Sequence, residues 1–155
     1  MTFRVLTVVA AAILDDQGRV LLAQRPEGKS MAGLWEFPGG KLENGESPEA
    51  ALVRELHEEL RIELSVDDLK PLTFASHAYE DFHLLMPLYE LRVWKGDPHP
   101  AEGQSLRCSQ TSLPVCRHSA HSEKRYVRGL NADLHTFPAP AADVPLFEYL
   151  AGRSR

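Results

Sequence analysis

Apolar and polar residues alternate with different periods along this chain, and the changes of period mark its elements. A nearly unbroken apolar run from Val5 to Leu14 reads as a buried strand over about 3–14. Asp15-Asp16-Gln17-Gly18 supplies a turn, and Arg19 to Ala23 a second apolar strand reaching 25, so the two predict a hairpin. Arg4 and the run behind it also imitate a short signal peptide, but cutting after Ala12 would orphan the second strand, so the segment is read as strand. A loop without apolar period follows from Pro26 to Gly33, then a compact run, Leu34-Trp35-Glu36-Phe37-Pro38-Gly39-Gly40-Lys41, and a second loop ending at Ser47. Ser47-Pro48-Glu49 joins an N-cap hydroxyl, a proline at the first helical position and an acid near the positive end of the dipole, and predicts a helix over 48–60. Strands are expected at about 71–78 and 83–94, ended by the turn Lys95-Gly96-Asp97-Pro98. Val144 to Ala151 reads as a short terminal helix with Asp143 as its N-cap. Strands and helices interleave irregularly, which predicts a mixed α/β (α+β) sandwich.

Placed on a helical wheel, Leu52, Val53, Leu56 and Leu60 fall within one arc, a core-facing stripe. Glu55, Glu58 and Glu59 fall within another, because positions i, i+3 and i+4 are neighbours. Three carboxylates at that spacing repel one another, and Arg54, placed for an i, i+4 pair with Glu58, relieves only part of this. A solvated acidic face is the usual fate of such residues. Here a Gly-Gly turn, an acidic loop and a capped helix precede the cluster at fixed distances. Carboxylate oxygens are hard ligands suited to Mg²⁺ or Mn²⁺, ions that also hold substrate phosphates.

Composition narrows the partners. The 155 residues suit a single domain over 1–155, and 43% of them are hydrophobic, enough for one core. Seventeen basic against 22 acidic side chains leave a net charge of −5, which disfavours direct DNA binding and leaves a small anionic ligand reached through a metal ion. Two cysteines fit a reducing, cytoplasmic setting. No apolar stretch approaches the roughly 20 residues needed to span a bilayer, so no membrane partner is expected.

At the acidic helix the chain resembles a known family. Gly40, five residues, Glu46, seven residues, then Arg54-Glu55-Leu56-His57-Glu58-Glu59-Leu60-Arg61-Ile62 matches the Nudix box at every fixed position but the last glycine, which is Arg61. The flanking LWEFPGGKLENGE looks like the MutT, or 8-oxo-dGTP diphosphatase, branch. The likeness continues through the turn from Trp94 to Pro98, Glu102-Gly103-Gln104 and Gly129-Leu130-Asn131-Ala132-Asp133. It implies an α/β/α sandwich with a mixed β-sheet and a loop–helix–loop catalytic motif. The implied activity is conversion of a nucleoside triphosphate, 8-oxo-dGTP for preference, to the monophosphate and pyrophosphate with Mg²⁺ (or Mn²⁺). A broader nucleotide pyrophosphohydrolase is the second reading, and an inactive nucleotide-sensing module the third.

Carried over by position, Glu55, Glu58 and Glu59 would hold metal with the Gly39 carbonyl, and Glu102 would serve as a further ligand or base. Glu55 is the first choice of base and Glu102 the second. Gly40 and Glu46 would support the box loop, and Arg54 would orient the glutamates. Arg25, Phe37, Lys41, Tyr79 and Asp143 would meet the substrate. For Asp143, helix cap and base reader weigh equally, since both need the same oxygen. Arg61 stands where a left-handed C-cap suits glycine, so its effect should fall on stability before chemistry. The resemblance breaks at about 107–126, which reads as an inserted surface loop. Cys108, Cys116, His118 and His121 lie there, without the tight pairs typical of zinc sites.

Overall fold

The computed structural model describes residues 4–111, 132–133 and 139–152. Its elements are β1 (Val5–Ile13), β2 (Arg19–Gln24), β3 (Trp35–Glu36), β4 (Gly39–Lys41), α1 (Pro48–Leu60), β5 (Leu69–Ala78), β6 (His83–Leu91), β7 (Ser105–Gln110), β8 (Ala132–Asp133) and α2 (Val144–Leu150). They form two four-stranded sheets, ordered β4-β1-β6-β5 and β3-β2-β7-β8. The first is mixed: β1 runs parallel to β6 and antiparallel to β4. Among the described residues no helix is long and apolar enough to cross a membrane.

From Val8 onward strand β1 is wholly apolar, and both faces of its second half, residues 9–13, are covered. Val9, Ala11 and Ile13 pack with Leu52, Leu56 and Leu60 of α1, whereas Ala10, Ala12 and Leu14 pack with Leu146, Phe147 and Leu150 of α2. The α/β/α layering expected from the sequence is what the chain adopts.

Two expectations need correction. The first two strands are not a hairpin: they belong to different sheets and are bridged at Leu14–Val20, beside the corner. The turn between them is a corner, held by the buried Asp15 carboxylate, which accepts from the backbone N–H of Gln17 (3.0 Å) and Arg19 (2.8 Å) and from Arg19 Nε (2.7 Å). An Asp that satisfies the backbone on both sides of a turn sets the direction of the second strand, and the hydrophobic pattern alone does not report that direction. Secondly, residues 107–110 are not loop but the second half of β7, paired with β2 from Arg19↔Gln110 to Gln24↔Ser105. The inward positions there, Leu106, Cys108 and Ser109, are too small and mixed to reveal a strand by period. Cys116, His118, His121 and the rest of the expected insertion lie outside the described residues.

Helix α1 begins as its sequence dictates, with Ser47 Oγ accepting from the Ala50 N–H at 3.1 Å and proline in the first turn. It ends at Arg61, in the left-handed conformation (φ 57°, ψ 27°), whose N–H donates to the His57 carbonyl. That conformation costs an L-residue about 1–2 kcal/mol, and the extra unfolded-state freedom of glycine returns about 0.5–1 kcal/mol of it. Arg61→Gly is therefore expected to raise unfolding stability by up to about 1 kcal/mol, read as a higher urea midpoint with unchanged turnover. A lower midpoint would overturn the argument.

Candidate active site

The site is assembled where β4 passes the side of α1. Gly39 and Gly40 run antiparallel to Ala10 and Val9 of β1, and this pairing fixes their distance from the helix. A Cβ on Gly39 would land on the Val9 carbonyl, and one on Gly40 would land on the Glu55 carboxyl group. Only glycine allows backbone and helix to approach so closely. The Gly39 N–H donates to Glu59 Oε2 at 3.2 Å.

Arg54 ties the preceding loop to the acids. Its Nε and Nη2 make a two-pronged contact with Glu46 (2.7 and 2.9 Å), Nη1 reaches Glu55 Oε1 at 3.0 Å, and Nη2 donates to the Lys41 carbonyl at 3.3 Å. The i, i+4 contact with Glu58 is looser, 3.6 Å. A guanidinium serving several carboxylates in fixed fork geometry aims them as well as neutralising them. It holds the Glu46 carboxyl below the usual carboxylate range.

Glu55 and Glu59 line a cleft of about 360 Å³, together with Glu102, Glu36, Phe37 and Asp143. Burial pushes Glu59 up to about 8, against the pull of the Gly39 N–H and with the help of Glu102 and Glu55. Burial also raises Glu55, opposed by Arg54 and assisted by Glu58 and Glu102. Glu102 comes from the loop before β7. Its N–H donates to Gln104 Oε1 (2.8 Å), and Gln104 Nε2 donates to the Glu59 carbonyl (3.0 Å), so a buried amide latches the loop to the end of α1.

On the other side of the cleft Asp143 is 5% exposed, and its Oδ1 accepts from the Phe37 N–H at 3.3 Å. It occupies the N-cap position of α2 but makes no capping bond, so it is no helix cap. Burial first, and Glu36 second, push it up to about 7. Phe37 is held edge-on to Phe147, ring centroids 5.1 Å apart. Arg25 is already committed: Nη1 to Glu36 (2.9 Å) and Nε to the Ser30 carbonyl (2.7 Å).

Not every expected residue reaches the cleft. Tyr79 sits at the β5–β6 turn, its ring stacked on Phe82 at 4.9 Å and packed against the α2-side core, and it does not line this cleft. A turn aromatic has a neighbour of its own kind to cover it, which sequence position conceals. Glu58 is half-exposed on the outer side of α1 and does not line the cleft. Conversely, Glu36, Lys29 and Gln104 line it without having been singled out. Glu36 had left a signal, a lone carboxylate between Trp35 and Phe37 in an apolar run.

Among the described residues no three His, Cys, Asp or Glu side chains stand ready grouped to hold a metal ion. The donor set nevertheless fits a hard divalent ion: Glu55, Glu59 and Glu102 bring oxygen on flexible stems to one cleft, where Glu102 raises the proton affinity of Glu55 and of Glu59, and Glu55 that of Glu59, a repulsion that such an ion removes.

A family model described as NUDIX domain matches residues 9–149. The chain belongs to the Nudix family. Within it, this Nudix hydrolase is MutT-like. It is 54% identical over 140 residues (90% of this chain, 87% of the relative) to the CTP pyrophosphohydrolase of Escherichia coli. It is 41% identical over 92 residues (59% and 80%) to the 8-oxo-dGTP diphosphatase of Proteus vulgaris. Among solved structures, a MutT from work on Aliivibrio salmonicida and Vibrio cholerae superposes with a TM-score of 0.71 at 27% identity, covering 97% of this chain and all of that one. The E. coli ORF135 protein follows at 0.70 and 30%, covering 98% and 93%. Nudix hydrolases depend on divalent metal, in keeping with the acidic cleft.

Proposed function

We propose that this Nudix hydrolase cleaves nucleoside triphosphates to the monophosphate and pyrophosphate with Mg²⁺, taking cytidine triphosphates first. The observation that carries this reading is a single cleft with Glu55, Glu59 and Glu102 on one side and Phe37 and Asp143 on the other, which suits a triphosphate and a base held together. Glu55, Glu59, Glu102 and the Gly39 carbonyl would hold the ion, with Glu58 beside them. Bound there, Mg²⁺ supplies charge neutralisation of phosphoryl oxygens and a more acidic water. Glu55 takes the proton from the attacking water. Water adds to one phosphorus of the α–β anhydride, the bond from that phosphorus to the bridging oxygen breaks, and the bridging oxygen leaves with the other product, giving monophosphate and pyrophosphate. Glu46 and Arg54 act by positioning Glu55.

Base choice falls to Asp143. Burial pushes it up to about 7, which brings the protonated form within reach near neutral pH, and a protonated carboxyl presents a donor beside an acceptor. Cytosine offers the complement, an amino N–H beside the N3 acceptor. 8-oxoguanine offers one too, at N7–H and O6, whereas N7 and O6 of guanine both accept. Cytidine nucleotides stand first because the relative of that name shares 54% identity over most of this chain. The 8-oxo-dGTP preference expected from the sequence is the second reading, supported by the 41% relative and by the same hydrogen-bonding edge. Turnover of CTP, 8-oxo-dGTP and the four common dNTPs in one assay decides between them. A CTP rate below that of dGTP would overturn the first.

A pH dependence follows. The donor form of Asp143 is lost as pH rises through about 7, so the CTP KM should rise between pH 6 and pH 8. In Asp143→Asn the donor persists at every pH, and that rise should vanish. The substrate's own phosphates titrate alike in both proteins, so the difference between the two profiles isolates Asp143. Parallel profiles would remove it from base recognition. Asp143→Ala should likewise raise the 8-oxo-dGTP KM more than the dGTP KM.

A further inference from the structure

Three basic side chains line the cleft: Arg25, Lys29 and Lys41. Arg25 is held by Glu36 and the Ser30 carbonyl. Lys29 differs. Its Nζ stands 3.8 Å from Glu102 Oε2, with both side chains about half-exposed, a loose pair that leaves the ammonium able to take another anion. Glu102 is latched by Gln104 to the Glu59 end of α1, and Lys29 also lowers the proton affinity of Glu36, so its charge is felt by acids on two of the elements that line the cleft.

The loop that carries Lys29 is built rather than slack. Three of its residues adopt left-handed backbone, Gly28 (φ 84°), Met31 (φ 58°) and Gly33 (φ 83°). Met31 is largely exposed, so no packing of its side chain explains the strain of a β-carbon there. Backbone strain of this kind persists only where surrounding bonds over-determine it. Those bonds are present: Gly33 N–H to the Arg25 carbonyl (2.9 Å), Arg25 N–H to the Leu34 carbonyl (3.0 Å), Gln24 Nε2 to the Gly33 carbonyl (2.9 Å), and Arg25 Nε to Ser30. They close a cinched loop that sets Lys29 beside Glu102.

We propose that Lys29 is a binding residue for the outer phosphates of the nucleotide, parked on Glu102 when the cleft is empty. The inference rests on the triphosphate reading above. Once a divalent ion satisfies Glu102, the ammonium is displaced towards the negative charge that enters with the substrate. A lysine suits this task because it acts as a point charge with three rotatable donors and needs no fixed plane of contact.

The test is calorimetric binding, in Mg²⁺, of the non-hydrolysable α,β-methylene analogue of CTP and of CMP to the wild type, Lys29→Ala and Lys29→Arg, with KM and kcat for CTP measured alongside. Lys29→Ala should weaken the triphosphate analogue about tenfold, leave CMP affinity unchanged, and raise KM more than it lowers kcat. Lys29→Arg should restore most of the affinity. Equal weakening of CMP and the analogue would overturn the proposal, as would an alanine variant that binds both like the wild type. So would a change confined to the Mg²⁺ titration, which would make Lys29 only a partner of Glu102. If the wild type binds and hydrolyses no nucleoside triphosphate, the underlying reading falls and this inference with it. A normal wild type with an indifferent Lys29→Ala variant removes the inference alone.

Discussion

Glu55→Gln should lower kcat for the best nucleotide by about a thousandfold, within the range ascribed to a positioned general base, while KM changes little. The substitution keeps the shape of the side chain and its place beside Gly40, and it removes the electron pair that would take the proton. Burial raises the proton affinity of the Glu55 carboxylate above that of a free glutamate, and Arg54 at 3.0 Å opposes the rise. Glu102→Gln gives the comparison. Its carboxylate is half-exposed and shares its charge with Lys29, so its loss should cost less turnover and more metal affinity. Stopped-assay rates and Mn²⁺ binding on both variants check this. A loss under tenfold in Glu55→Gln beside a collapse in Glu102→Gln would exchange their roles.

Alanine at the two neighbouring glycines should fail in two different ways. At Gly40 the new methyl displaces the end of the Glu55 side chain, which can swing aside. The protein should fold with nearly unchanged stability and lose on the order of a hundredfold in kcat, the usual effect of moving a catalytic group by about 1 Å. At Gly39 the methyl meets the Val9 carbonyl, which is fixed by the β1–β4 pairing. Backbone cannot rotate away, so Gly39→Ala should cost about 3 kcal/mol or more of stability, at the upper end for overpacking. Urea unfolding and kcat, measured on each protein, separate the cases. Equal stability losses in both would refute the distinction.

The chemistry was more legible in the sequence than the scaffold. Local rules wrote α1 almost to the residue: Ser47, Pro48 and the Leu52–Leu56–Leu60 stripe act within a few positions of one another. The acids on its other side follow from the same period. What the sequence concealed depends on contacts far apart along the chain. The Asp15 corner looks like a hairpin turn until the strands on either side of it are seen to pair into different sheets. Asp143 looks like a cap until it is seen to reach Phe37, 106 residues away. Tyr79, expected to face the base, is stacked on Phe82 and lies outside the cleft lining. Gln104 gave no periodic signal, because one buried amide bridging a loop to a helix end belongs to no repeating pattern.

Strand β1 divides the molecule's labour. Its odd positions, Val9, Ala11 and Ile13, support the helix that carries Glu55 and Glu59, and its even positions, Ala10, Ala12 and Leu14, support the core that holds Phe37 and the helix led by Asp143. Neighbouring alanines on one strand therefore address different properties of the enzyme. A larger side chain at Ala11 would be felt in turnover, and one at Ala12 in the choice among bases. If the proposed roles hold, a two-residue repeat would separate the rate of the reaction from the identity of what is consumed, and lineages descended from such a chain could retune diet without retooling the chemistry.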